Sequence, residues 1–125
     1  MEIEISNGEL IDKLTILEIK LNYITALTQK DNIKKEYTYL KEKSQTLILN
    51  PTIYNLYRQL QKVNLKLWKI EDSIRLKEKL NEFDNEFINL ARSVYKTNDE
   101  RANIKKQINQ ITISTFIEEK SYEQY

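Results

Sequence analysis

Cysteine and histidine are both missing from the chain. The protein therefore has no thiolate nucleophile, disulfide, imidazole general base, or thiolate and imidazole ligands for zinc. Catalysis would have to use carboxylate, amine, guanidinium, phenol or hydroxyl groups, and Mg²⁺ or Mn²⁺ would be the metal that such oxygen ligands accept. These two absences exclude several large classes of enzyme.

Glycine and proline are almost missing, with one residue of each. Hydrophobic residues make up 40% of the chain and charged residues 31%, a composition that favours long helices and leaves little material for tight turns. A chain of 125 residues can bury one core but not two. We therefore predict a single all-α domain over residues 1–125.

The chain also lacks a charge excess and a long apolar run. Lys and Arg number 20 against 19 Asp and Glu, so no net field attracts nucleic acid or an anionic membrane. Lys62, Lys66 and Lys69 line one helical face, but a lysine row opposite an apolar face is usually solvated, and we do not expect nucleic acid as a partner. Without an apolar run of roughly 18 residues or a signal peptide, we expect no membrane span and a cytoplasmic location.

The first helix has an explicit start signal. Ser6 followed by Glu9 forms a capping box, so the helix should begin at about Asn7. Before it, Glu2 to Ile5 alternates charge with isoleucine. This segment is either a short extended arm or the packed lead-in to the cap.

Apolar residues occupy two sides of this first helix. At 100° per residue, Asp12 falls on the second side, so the helix should contact two partners with Asp12 inside the second contact. The first side carries Leu10, Leu14, Leu17, Leu21 and Ile24, and the second carries Ile16, Ile19, Tyr23 and Leu27.

Two further helices follow. The second should run from an Asp31 cap to about Lys43, with Ile33, Tyr37 and Leu40 facing inward. Asn50 and Pro51 then form a favoured cap and first-position pair, which opens a third helix to about Lys79. That helix would be roughly 43 Å long, more than a compact domain needs, so we expect an elongated bundle or a dimer. Its apolar row is Ile53, Leu56, Leu60, Val63, Leu67, Ile70 and Ile74.

The fourth helix should start at an Asn81 cap. Its inner row begins with Phe83, Phe87, Leu90 and Val94. The same spacing of three and four residues continues with Thr97 and Arg101 and then with Ile104, Ile108 and Ile111. Either one continuous helix, which we favour, places Thr97 and Arg101 in the core, or the helix breaks and Thr97 forms a second capping box with Glu100. The fold would be an antiparallel bundle of four to five helices.

Polar residues at these inner positions define a candidate site. A buried charge must be paired, so Arg101 should find a carboxylate, and Asp12 and Glu71 occupy comparable positions. The favoured interpretation is a buried ionic network that fixes helix register; the alternative is a pocket in which Arg92, Arg101 and Lys105 bind an anion. The candidate residues are Asp12, Glu71, Asp72, Arg75, Arg92, Asn98, Asp99, Arg101 and Lys105.

A magnesium enzyme is the other alternative. Glu9 and Asp12 on the first helix and Glu71 and Asp72 on the third could converge on Mg²⁺, as in all-α nucleotide pyrophosphohydrolases. This spacing of acidic residues is common in helices, and helix capping explains Glu9. We therefore expect no cofactor and no catalysis, with Mg²⁺ only under this alternative.

Four blocks of sequence resemble a known bacterial family. SNGELIDKLTILEIK, LWKIEDSIR, LARSVYKTNDER and EEKSY occur in this order between Ile3 and Tyr122, and the match is weakest from Lys30 to Tyr57. The family is a domain of unknown function whose members often lie near, or are fused to, glycosyltransferases of lipopolysaccharide and surface-polysaccharide assembly. It supplies no activity, but its blocks are rich in polar residues, which favours a site between helices one, three and four.

The resemblance implies an interaction or accessory protein in cytoplasmic surface-glycan assembly. We expect it to form a homo-oligomer, most simply a dimer, and to have a partner such as a glycosyltransferase. The alternative is a small enzyme or binding protein for a phosphorylated sugar or nucleotide. In that case Arg92, Arg101 and Lys105 would bind phosphate, and a carboxylate of Asp12, Glu71 or Asp72 would act as acid, base or Mg²⁺ ligand.

Overall fold

The computed structural model describes residues 4–113, and this part of the chain folds into four helices without a strand. The helices are α1 (Asn7–Tyr23), α2 (Leu27–Ile48), α3 (Pro51–Lys79) and α4 (Asn85–Thr112). The predicted all-α bundle is confirmed. Residues 4–6 precede α1 without forming a strand, and the rest of the predicted N-terminal arm lies outside the described residues. No helix in the described range combines the length and apolar character needed to cross a bilayer.

The predicted N-caps of α1 and α3 are confirmed, but Glu9 does not complete the capping box of α1, because its carboxylate binds Lys105. Ser6 Oγ accepts a hydrogen bond from the Glu9 backbone N–H at 3.1 Å. At α3, Asn50 Oδ1 accepts from the N–H groups of Thr52 and Ile53 at 2.9 and 3.2 Å, with Pro51 as the first helical residue. Each cap satisfies N–H donors that the first helical turn leaves without an intrahelical partner.

The predicted bounds of α2 were wrong. The helix begins at Leu27 instead of after Asp31, and it ends at Ile48 instead of Lys43. Ala26 precedes it in an extended conformation without a side-chain cap. Neither glycine nor proline lies between Leu27 and Ile48, and Leu47 and Ile48 pack against the core, so burial carries the helix toward Pro51.

The predicted cap of α4 was also wrong. Asp84, not Asn81, accepts the hydrogen bond from the Phe87 N–H, at 3.0 Å. Asn81 has φ 56 and lies in the turn that ends α3, a left-handed conformation that asparagine tolerates better than most residues. Phe83 consequently lies outside the helix and is 56% exposed, so it does not belong to the inner row.

Helix α4 is continuous through its polar inner positions. Thr97 is buried within the helix and Arg101 follows one turn later, so the favoured continuous helix is confirmed and the second capping box is wrong. The described residues therefore form four helices and not five. Arg101 can occupy an inner position because Asp12 of α1 accepts its hydrogen bonds.

The core lies where all four helices meet. Helix α1 contacts α2, α3 and α4, which widens its buried surface beyond one row. Ile11, Leu14 and Leu17 are buried, whereas the predicted Leu10 and Leu21 are only half-buried. On α3 the predicted row is confirmed, with Val63 and Ile74 half-buried. The central cluster contains Ile11, Leu14, Ile53, Leu56, Tyr57, Leu60, Ile104 and Ile108.

The far end of the α3–α4 hairpin, residues 71–96, extends past this core and is called the arm. Buried residues on α3 stop at Ile70, and those on α4 begin at Thr97. At the tip, Lys77 Nζ lies 2.9 to 3.1 Å from carboxylate oxygens of Asp84, Glu86 and Glu82. The hydrogen bonds that Lys77 donates to these carboxylates, the one to Asp84 first, raise the pKa of Lys77. The arm is thus a two-helix element whose turn is held by ionic contacts.

Candidate functional site

Asp12 is the centre of a polar cluster between α1, α3 and α4. Its carboxylate is fully buried and accepts two hydrogen bonds from Arg101, from Nε to Oδ1 at 2.8 Å and from Nη2 to Oδ2 at 2.5 Å. Asn64 Nδ2 donates to Oδ1 at 2.9 Å. This bidentate, charge-assisted geometry is the strong form of a carboxylate–guanidinium pair.

Three more side chains complete what we call the Asp12 cluster. Lys105 Nζ donates to Glu9 Oε2 at 2.7 Å and lies 3.9 Å from Asp12 Oδ2. Asn64 Nδ2 also donates to Thr15 Oγ1 at 2.8 Å, and the Thr15 hydroxyl donates to the Asp12 carbonyl at 2.7 Å. The cluster contains Glu9, Asp12, Thr15, Asn64, Arg101 and Lys105.

The cluster is balanced in charge and in hydrogen bonds. It holds two carboxylates and two cations, and every buried side-chain nitrogen or oxygen in the described part of the chain has a partner. Arg101 is the most exposed member, with 28% of its side-chain surface accessible, so one edge of the cluster reaches solvent. Because burial of an unpaired charge is costly, this pairing is what allows Asp12 to lie in the core.

The only glycine of the chain brings α1 onto α4 beside the cluster. The Gly8 N–H donates to Asn109 Oδ1 at 2.6 Å. A Cβ atom on Gly8 would overlap the Lys105 carbonyl oxygen and lie 2.9 Å from Asn109 Oδ1. The absence of a side chain at position 8 therefore sets the distance at which Glu9 and Asp12 meet their cations on α4.

The structure joins three of the nine predicted site residues in direct contact: Asp12, Arg101 and Lys105. Of the two carboxylates considered for Arg101, it is Asp12 that binds, while Glu71 is exposed two turns beyond Asn64. Asn98 and Asp99 are half-buried on α4. The exposed candidates, all in the arm, are Glu71, Asp72, Arg75 and Arg92. Their role in ligand binding stays a prediction.

Sequence reasoning did not assign five residues of this region to the site: Gly8, Glu9 as a counterion, Thr15, Asn64 and Asn109. A weak signal existed for Asn64 and Asn109, because both are amides beside apolar helix positions. Gly8 carried a second signal, since a lone glycine within a helical turn lowers helix propensity and usually has a packing reason. No signal in one sequence indicates which of these side chains meet.

The carboxylates are not arranged as a metal site in the described residues. No group of three or more acidic side chains there is placed to hold an ion. Glu9 and Asp12 face Lys105 and Arg101, while Glu71 and Asp72 are exposed on α3. The convergence of these four carboxylates on Mg²⁺ has no support in this geometry.

A groove with a volume of about 340 Å³ lies between α3 and α4. It shares no residue with the Asp12 cluster. Val63 and Ile104 contribute apolar surface, and the remaining lining residues are Gln59, Lys62, Glu100, Asn103 and Gln107. One cation and one carboxylate give the groove no excess of either charge.

A second polar cluster joins α1 to α3. The Tyr57 hydroxyl donates to Glu18 Oε1 at 2.5 Å, and Gln61 Nε2 donates to Glu18 Oε2 at 3.2 Å and to the Tyr57 hydroxyl oxygen at 3.0 Å. Burial and the hydrogen bond to Glu18 raise the pKa of Tyr57 well above its usual value. The phenol therefore stays protonated in the folded protein and acts as a structural donor.

Tyr57→Phe should reveal this contact through its pH dependence. Near neutral pH the loss of the hydrogen bonds should cost about 1 kcal/mol. Above pH of about 10, the ordinary tyrosine pKa, the unfolded wild-type chain loses the Tyr57 proton while the folded chain keeps it. Wild-type stability then falls as pH rises toward the raised folded pKa, and the variant, which has no phenol at this position, lacks this loss. Urea unfolding should show that the difference in unfolding free energy between wild type and Tyr57→Phe narrows above pH of about 10. A difference that stays constant with pH would contradict the account.

The whole chain matches one family. DUF6165, described as a family of unknown function, covers residues 1–125. The chain belongs to this family. No curated protein and no solved structure matches the chain significantly. Membership in DUF6165 agrees with an uncharacterised domain and assigns no role to the Asp12 cluster, and the EEKSY block lies outside the described residues.

Proposed function

We propose that the protein is a non-catalytic helical interaction protein. The observation that carries this proposal is the internal pairing of the Asp12 cluster. Arg101 directs Nε and Nη2 at Asp12, and Lys105 directs its ammonium at Glu9. The groups best suited to bind a phosphate or to transfer a proton are thus engaged with each other across α1 and α4.

An anionic ligand would have to compete with Asp12 for Arg101. If the ligand displaced it, the fully buried carboxylate would lose its guanidinium partner, which is a large penalty in a low-dielectric interior. The cluster therefore supports a structural role, in which it fixes the register of α1 on α3 and α4. The small enzyme or binding protein for a phosphorylated sugar or nucleotide, with or without Mg²⁺, is the alternative that this argument disfavours.

A thermal-shift panel separates the two functions. Purified protein is heated with nucleotide sugars, phosphosugars and nucleotides, each with and without Mg²⁺. A ligand at 100 times its dissociation constant would stabilise the fold by about 2.7 kcal/mol, which at this chain length is a shift of several degrees. We expect no shift. A shift that Arg101→Met removes and the control Arg58→Met keeps would replace our proposal with the ligand-binding alternative.

We further propose that the interaction takes place in the cytoplasm during surface-glycan assembly, with a glycosyltransferase as partner. The support is the resemblance of the sequence blocks around Asp12, Trp68 and Arg101. The test is analytical ultracentrifugation of the protein with a purified surface-polysaccharide glycosyltransferase from the same source. A co-sedimenting complex is expected, and independent sedimentation at tens of micromolar would contradict the proposal.

A further inference from the structure

One row of α4 is covered by α1 at one end and open at the other. The row follows a regular spacing of three and four residues through Ile88, Ala91, Tyr95, Asn98, Ala102, Lys105 and Asn109. Lys105 and Asn109 are buried at the contact with α1, and Asn98 and Ala102 are half-buried. Ile88 is 50% exposed, and Ala91 and Tyr95 are also exposed. The uncovered half of this packing row is therefore its more apolar half.

The arm also fails to enclose its own inner row. Ile74 on α3 and Phe87, Leu90 and Val94 on α4 face the hairpin interior but are only half-buried. Two helices alone cannot surround an apolar row, whereas four helices in a bundle can. A second helical hairpin laid on the arm would supply the two helices that are missing.

The charges beside this face match a second copy of the chain. Glu71 and Glu78 follow Asn64 at intervals of seven residues, so both lie on the side of α3 that faces α1, and Arg75 lies between them. All three are exposed at the arm surface. In an antiparallel, two-fold arrangement whose axis lies between Glu71 and Arg75, Arg75 of one copy can meet Glu71 of the other, and Glu71 can meet Arg75 in return. The pattern is self-complementary, as an isologous interface requires.

We propose that two copies of this chain pair through their arms to form a four-helix bundle, with Ile88, Ala91 and Tyr95 at its centre. This inference rests on the proposed function and names a second copy as the first partner. The tip is held by contacts of Lys77 with Asp84 and neighbouring carboxylates, so little ordering is needed on association. The pairing of two arms also gives the exposed Glu71 and Arg75 a role outside the Asp12 cluster.

Light scattering with size-exclusion chromatography tests the pairing at tens of micromolar. Light scattering should give the wild-type peak a mass of twice the 15.0 kDa of one chain. Ile88→Glu should raise the dissociation constant about 100-fold or more, because it places a carboxylate at the apolar centre of the interface. Asn89→Glu is the matched control: it adds the same group at the next, exposed position, which lies off the row, and should leave the dimer intact.

A charge reversal gives a second test that avoids the apolar centre. Arg75→Glu should weaken the dimer, and adding Glu71→Arg should restore it. Far-UV circular dichroism confirms that each variant is folded, and if Ile88→Glu does not fold, the charge reversal decides. A monomeric wild type, or equal dimerisation of Ile88→Glu and Asn89→Glu, would overturn the inference. Neither result would affect the ligand panel, which tests the proposed function separately.

Discussion

Gly8→Ala should destabilise the protein by about 2–4 kcal/mol, even though alanine is the better helix former by about 1 kcal/mol. The added Cβ overlaps the Lys105 carbonyl oxygen and crowds the Asn109 side chain that accepts the Gly8 N–H. Both neighbours belong to α4, so the two helices must separate. Because Glu9 and Asp12 follow on the same helix, the separation also lengthens their contacts with Lys105 and Arg101. Urea unfolding monitored by circular dichroism measures the loss.

The control for this prediction is Lys13→Ala on the same helix. Lys13 is exposed and lies 4.0 Å from Glu36, a surface pair worth little. Its replacement should change stability by less than about 0.5 kcal/mol. If Gly8→Ala is as mild as Lys13→Ala, or stabilises the fold, then α1 does not approach α4 as closely as described.

Asp12→Ala should cost about 3–5 kcal/mol, the second large effect. The change removes the carboxylate that accepts two hydrogen bonds from Arg101 and one from Asn64, and it leaves the positive charge of Arg101 without its buried counterion. Differential scanning calorimetry or urea unfolding provides the measurement. The matched control is Asp72→Ala, which removes an exposed carboxylate on α3 and should change stability by less than about 0.5 kcal/mol. Similar losses in the two variants would contradict a core role for Asp12.

Local signals predicted much of this fold. The caps at Ser6 and Asn50 depend on residues within one turn of each helix start, and the α3 row depends on spacing within one helix. Prediction failed at two helix starts where the sequence offers a good capping residue. Asp31 and Asn81 are both such residues, yet α2 starts before Asp31 and α4 is capped by Asp84. Packing of Leu47 and Ile48 against the core extends the end of α2, and the turn at Asn81 delays the start of α4; neither is visible in local spacing.

The candidate site shows the same limit. Arg101 at an inner position required a carboxylate by energetics alone, and this reasoning correctly offered Asp12. It could not choose between Asp12 and Glu71, because the choice depends on where α1 crosses α3. The structure places Asn64 at that crossing and leaves Glu71 a further two turns along α3. The second carboxylate–cation pair, Glu9 with Lys105, depends equally on the approach that Gly8 allows.

The central claim is that the Asp12–Arg101 pair holds the helices in register instead of binding a ligand, and a double-mutant cycle tests it most directly. Unfolding free energies are measured for wild type, Asp12→Leu, Arg101→Met and the double variant. We predict that each single change is strongly destabilising and that the double variant is more stable, by a coupling energy of about 2–3 kcal/mol, than the sum of the two single losses would give, because no unpaired charge remains. Additive losses, with a double variant as weak as the sum of the two singles, would contradict the account.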